Sequence, residues 1–114
     1  MVVVIFEVIP VPGKREEYLD IAAVLKTELA VIEGFISVER FQSLTDPGKV
    51  LSLSFWKDEE SIQQWRNLSI HREAQKTGRN CVFADYRLRV ANVIRDYGMR
   101  NRAEAPGDSK LIHN

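Results

Sequence analysis

The first strand candidate, Val2 to Ile9, is apolar on both of its faces. Side chains alternate across a strand, so Val2, Val4, Phe6 and Val8 point one way and Val3, Ile5 and Ile9 the other, with Glu7 the single polar interruption. Such a strand has to be covered from both sides. A layer of helices from the same short chain covers one side, and the other calls for a second layer. Pro10 and Pro12-Gly13 close the segment, because proline cannot extend the ladder and glycine favours a turn.

From Lys14 onward the spacing predicts a helix: Tyr18, Ala22, Leu25, Leu29 and Ile32 recur at intervals of four, three, four and three. Arg15, Glu16, Lys26 and Glu28 take its other faces, and Gly34 is expected as a left-handed stop. Phe35 to Ser43 and Val50 to Trp56 read as two strands of a hairpin, joined by the turn formers Leu44-Thr45-Asp46-Pro47-Gly48-Lys49. Asp58-Glu59-Glu60-Ser61 then puts negative charge at a helix start, with Ile62, Trp65 and Leu68 at helical spacing. A short helix is expected there, followed by a second helical piece from about Ile70 to Arg79. The last strand runs from Phe83 to about Arg95, with Tyr86, Leu88, Val90, Asn92 and Ile94 on one face. Arg87, Arg89, Ala91, Val93 and Arg95 lie on the other.

The order β-α-β-β-α-β is that of the α+β, ferredoxin-like unit, with both helices on one face of an antiparallel sheet. The other face, apolar as β1 leaves it, is expected to meet a second copy across a two-fold axis, making a homodimer and a dimeric α+β barrel. Residues 1–98 form the expected ordered domain, and the polar stretch 99–114 is expected to be a mobile tail.

Composition narrows the function by exclusion. A chain of 114 residues is one domain, able to bury roughly 65 % of its unfolded surface without disulfides or structural metal. Sixteen basic and sixteen acidic side chains cancel, with no block of one sign, so neither nucleic acid nor an anionic membrane is the expected partner. A small molecule or a second copy is. Cys81, the single cysteine, excludes an internal disulfide and a multi-cysteine metal site, and beside Val82 and Phe83 it is most simply a small buried hydrophobe. The apolar start is too short for a membrane span or a signal peptide, and a cytoplasmic protein is expected.

No glycine-rich phosphate loop, nucleophile elbow, paired-histidine zinc motif or acidic calcium loop occurs. His113 falls in the expected tail, which leaves His71 as the one histidine of the ordered part. On a helical wheel His71, Gln75 and Gly78 share a stripe, Trp65 lies a turn and a half earlier, and Arg72 is two turns beyond Trp65. Plainer roles compete for each. Trp65 serves equally as a core aromatic, His71 as a solvated helix residue and Tyr86 as a buried ring with a satisfied hydroxyl. Arg87, Arg89 and Arg95 are explained by pairing with Glu7 and Glu39.

Four features together resemble the antibiotic biosynthesis monooxygenase family: Pro12-Gly13 after strand one, Ile32-Glu33-Gly34-Phe35 before strand two, Ser43 to Pro47 in the hairpin loop, and Phe55-Trp56-Lys57-Asp58-Glu59-Glu60 ahead of Trp65. The resemblance covers about Val2 to Gly98. It implies a homodimer that oxidises a small aromatic or quinol-type substrate with O2 and no flavin, metal or haem. On that reading His71 is the base or hydrogen-bond donor and Gln75 or Arg72 hydrogen-bonds the developing oxyanion, while Phe6, Trp65 and Tyr86 form the wall for the ring. The haem-degrading branch of the family carries an Asn on strand one, a Trp on the helix and an iron-binding His ten residues later. Here those positions hold Phe6, Trp65 and Gln75, and glutamine is a poor iron ligand. Haem binding or degradation is therefore the alternative within the enzymes, and a non-enzymatic binding or structural barrel the alternative outside them.

Overall fold

The structure is a computed structural model that describes residues 1–75 and 82–113, with the backbone alone for 69–75 and 111–113. Its elements are β1 (Val2–Pro10), α1 (Arg15–Leu29), β2 (Phe35–Gln42), β3 (Val50–Trp56), α2 (Glu59–Gln75), β4 (Phe83–Asn92) and α3 (Gly107–His113). The four strands form one antiparallel sheet in the order β2-β3-β1-β4. This is the expected ferredoxin-like arrangement, with the doubly apolar β1 in an interior position.

Register turns the alternation of β1 into two distinct surfaces. Val2, Val4, Phe6 and Val8 stand opposite Trp56, Ser54, Ser52 and Val50 of β3 and opposite Asn92, Val90, Leu88 and Tyr86 of β4. This even-numbered face of β1 carries both helices. Near its Val2 end, Val2, Val4 and Trp56 pack with Leu29, Ile32 and Ile62, and Phe35, Val38 and Trp65 lie against them. Toward the Val8 end, Val8, Val50 and Val82 pack with Tyr18, joined by Phe6, Leu19 and Ile21. The opposite face presents Val3, Ile5, Ile9, Leu51, Leu53 and Phe55, all half-buried. Neither core cluster reaches it, and Arg89 pairs there with Glu7 at 3.4 Å.

Several boundaries differ from the sequence expectation. Helix α1 ends at Leu29 rather than at Gly34; the Ile32 amide donates to the Leu29 carbonyl in a turn, and Gly34, at φ +92°, begins the descent into β2. Helix α2 is one continuous helix where two pieces are expected, because no glycine or proline interrupts it between Glu59 and Gln75. Strand β4 stops at Asn92, where its partner β1 begins, although the Val93 amide still donates to the Met1 carbonyl. Beyond it, where the composition led to no element, the chain forms α3. Ala105 is buried before that helix, and Arg102 bonds the Ser109 carbonyl and hydroxyl at 3.3 and 2.9 Å.

Gly34 also fixes where α2 starts. Its carbonyl accepts the Lys57 amide at 2.7 Å, and a Cβ on it would run into the Ser61 side chain. Gly13 is equally left-handed at φ +84° but faces open space. Gly34→Ala is therefore expected to cost about 2 kcal/mol or more in urea unfolding, whereas Gly13→Ala carries the backbone strain alone, about 1 kcal/mol. Equal losses for the two variants would remove the steric argument.

Candidate functional site

On the helix-facing side of the sheet the two core clusters meet at one cross-strand row, Arg40–Ser52–Phe6–Leu88, running from β2 through β3 and β1 to β4. Beyond Phe6 the surface is apolar and open. Leu88 is 44 % exposed, Phe83 36 % and Tyr86 60 %, although all belong to an alternating strand whose even face would ordinarily be core. Phe6 packs on Tyr86 at a ring separation of 5.6 Å and on Phe83 at 6.0 Å, and Phe83 meets Tyr18 edge-on at 5.7 Å. Aromatic rings in tilted and edge-to-face contact make an apolar wall.

Of the site residues expected from sequence, the structure brings Phe6 and Tyr86 together. Trp65 belongs to the other cluster: it packs on Trp56 at 6.1 Å, and Trp56 in turn meets Phe35 at 5.2 Å. His71, Arg72 and Gln75 fall in the last turns of α2, with His71 and Gln75 one turn apart along the backbone; their side chains lie outside the described residues, as does Cys81. Phe83, Tyr18 and Arg40 were not anticipated as wall or rim. The first two carry an aromatic signature in the sequence, but their convergence depends on the β1–β4 register, which periodicity alone does not supply.

Polar groups on this side are few. Ser54 Oγ accepts the indole N–H of Trp56 at 2.9 Å, so that pair is closed. The Tyr18 ring is buried, and burial holds its hydroxyl pKa above the ordinary 10.0 even though the nearby Arg40 cation pulls the other way. The hydroxyl is thus a neutral donor and acceptor at physiological pH. Among the described residues no cluster of His, Cys, Asp or Glu could hold a metal ion. A shallow hollow of about 240 Å³ opens elsewhere, between the start of α2 and Val90, rimmed by Glu59, Glu60, Gln63 and Arg66; none of the expected site residues lines it.

Comparison with known proteins gives the family. The model of the antibiotic biosynthesis monooxygenase family matches residues 1–77. The chain belongs to that family. It is similar to a jasmonate monooxygenase of Pyricularia oryzae, 50 % identical over 93 residues, which make up 82 % of this chain and 43 % of that protein. The chain thus spans less than half the length of this relative. Among solved structures, a Nitrosomonas europaea protein described as an antibiotic biosynthesis monooxygenase superposes at TM-score 0.69, with 14 % identity over 82 % of this chain and 99 % of that one. The haem degrader MhuD of Mycobacterium tuberculosis, with two haems bound, superposes at 0.69 with 21 % identity, over 86 % of this chain and the whole of that one. At these identities the two structures speak for the fold.

The start of α2, which carries Trp65 and the three following site candidates, is set by a cap. Asp58 Oδ1 accepts the Ser61 amide at 2.9 Å and the Ser61 hydroxyl at 2.8 Å, and these bonds hold the Asp58 carboxyl below its ordinary value of 3.8. A depressed carboxyl stabilises the fold above its unfolded pKa, and that contribution fades as pH falls through the folded value. Asp58→Ala should accordingly lower the melting temperature at pH 7 by a few degrees, roughly, and the difference from wild type should shrink below about pH 4. A difference that stays constant from pH 7 to pH 2 would contradict the assignment.

Proposed function

We propose that this chain is a cofactor-independent monooxygenase that oxidises a small apolar molecule held on the helix-facing side of the sheet against Phe6, Phe83 and Tyr86. The observation that carries the reading is that exposed aromatic wall on the one face where a ferredoxin-like sheet is otherwise covered by its helices. Family membership supports the reaction class. A substrate with an acidified C–H or phenol itself supplies all the electrons that O2 takes up. Removal of a proton leaves a carbanion or phenolate that reacts with O2; for an activated methylene, one oxygen atom becomes the new carbonyl, and the other leaves as water with the two hydrogens the carbon loses. The chain then has to orient the ring, exclude water and move protons.

In this proposal His71 takes the proton or donates a hydrogen bond to the reacting oxygen. Gln75 or Arg72 stabilises the developing oxyanion, and a well-placed donor contributes about 3 kcal/mol to that state. Phe6 and Tyr86 hold the ring, with Trp65 bracing α2 against Trp56. Anthrones and hydroquinones are the trial substrates, together with jasmonate, after which the fungal relative is named. With an anthrone that the wild type oxidises, His71→Ala should lower oxygen consumption by roughly a hundredfold or more, with little change in melting temperature. Undiminished turnover would remove His71 from the mechanism, and no oxidation across the whole panel would favour a binding protein on the same fold.

The assembly proposed is a homodimer that packs the two odd-numbered sheet faces together. Val3, Ile5, Leu51, Leu53 and Phe55 supply the apolar centre, and Glu7, Arg87 and Arg89 the charged border. Sedimentation at micromolar concentration should give twice the chain mass, and Leu53→Lys should shift it to the single-chain value. A wild type that sediments as a stable monomer would refute the pairing.

A further inference from the structure

Beyond β4 the chain turns its chemistry inside out. Arg102 is the centre of a knuckle: its guanidinium donates to the Gly98 carbonyl at 3.3 Å and to the Ser109 carbonyl and hydroxyl at 3.3 and 2.9 Å, and it lies over the Tyr97 ring at 5.4 Å. The Asp96 amide donates to Glu104 at 3.2 Å, the Lys110 ammonium donates to the Ala103 carbonyl at 3.1 Å, and Ala105 is buried. These bonds all close within residues 96–110. Outside the knuckle stand Ile94, 83 % exposed, and Met99, 90 % exposed. A solvated tail gains nothing from ordering polar groups around a cation while its large apolar side chains stay in water.

This arm does not rest on its own domain. Its last ladder bond is the Val93 amide on the Met1 carbonyl. After it, neither core cluster takes up an arm residue, and Leu88 and Val90 of β4, the strand from which the arm departs, stay 44 % exposed. The chain measures 55 × 34 × 20 Å and has a radius of gyration of 16.8 Å, where a compact domain of this length has about 13 Å. An arm projecting past the sheet accounts for the difference.

Strand β4 has the complementary deficiency. All 10 of its residues are exposed, and the hollow of about 240 Å³ lies between its Val90 and the start of α2. Ile62 and Val90 make that hollow apolar, Glu59 and Glu60 give it an acidic edge, and Arg66 lies two turns along α2 from Glu59. The arm carries the matching pair, an apolar Met99 followed by an exposed Arg100. Arg100 enters neither of the ion pairs found among the described side chains, Lys14 with Glu17 and Arg89 with Glu7. Methionine, unbranched and adaptable, suits an irregular gap of this kind.

We propose that the C-terminal arm of one chain docks on a second copy, with Met99 in the partner's α2–β4 hollow and Arg100 at its Glu59–Glu60 edge. The inference rests on the homodimer reading above and adds a second contact to it, on the helix-facing side. Leu88 and Val90 are same-face neighbours on β4, so the docked arm borders the aromatic wall and each site is completed by a residue of the other chain.

Met99→Asp is the direct test, because a side chain this exposed can be replaced without loss of its own chain's stability. In sedimentation equilibrium of the full chain it should raise the dimer dissociation constant by about tenfold, with the melting temperature of the dissociated chain unchanged. Arg100→Glu should raise the constant about fivefold, and combining it with Glu59→Arg or Glu60→Arg should in one of the two cases bring it back to within about twofold of wild type. To locate the contact, a Met99→Cys chain is mixed with a Gln63→Cys chain, both carrying Cys81→Ser, and treated with a bis-maleimide linker. A link between positions 63 and 99 of different chains is expected. An unchanged constant in Met99→Asp, no rescue in either combination, or a 63–99 link that forms only inside one chain carrying both cysteines would overturn the proposal. If Leu53→Lys dissociates the dimer and Met99→Asp does not, this inference falls alone; if Met99→Asp dissociates it and Leu53→Lys does not, the sheet-face pairing falls alone.

Discussion

Trp56 is the side chain on which the rest of the arrangement hangs. It is 1 % exposed, and three other elements meet it: Phe35 from β2 edge-on, Trp65 from α2, and Val2 from β1 as its register partner. An indole in such a place must find an acceptor for its N–H, and Ser54, two residues back on the same face, provides it. Two residues later the chain reaches Asp58, whose carboxylate caps α2 while Gly34 leaves room for Ser61. One buried ring thus joins the hairpin to β1 and aims the helix on which the catalytic candidates are carried.

The sheet solves two burial problems differently on its two faces. The even face of β1 is covered by its own helices at both ends and left open toward β4, where aromatic rings stand partly in solvent. The odd face of β1 is half-buried throughout and bordered by charge, and it is the face assigned to the proposed homodimer. A small domain can keep an open apolar site on one face only if the other is closed by something more extensive. In the proposed arrangement, site and assembly both follow from the alternation of one strand.

Much of this was legible in the residues. The alternation of Val2 to Ile9 announced the two-sided strand, the spacing from Tyr18 to Leu29 gave α1, and Asp58 with Ser61 marked the start of α2. Phe6 and Tyr86, read from the sequence as candidate wall residues, lie in ring contact. What periodicity could not supply was register: Arg40 and Ser52 fall into one row with Phe6 only once β2, β3 and β1 are paired, and a slip of one residue would send both to the other face. Gly34 was read as a helix stop from its conformational freedom alone, when its larger constraint is steric and comes from Ser61, twenty-seven positions away in sequence. Helix α3 escaped because its neighbourhood is held by polar contacts of Arg102 rather than by a repeating apolar stripe.

The placement of the two indoles has a spectroscopic consequence. Trp56 and Trp65 are the molecule's two tryptophans, and they stand 6.1 Å apart within the same core cluster, while the Tyr18 cluster contains neither. Light absorbed beyond the tyrosine band is therefore emitted from one end of the sheet only. The other end, with its aromatic wall and Arg40, is dark at those wavelengths: a ligand settling there, or a loosening of that half of the core, would leave the emission nearly still unless the disturbance travelled through β1 and β3 to the indole pair.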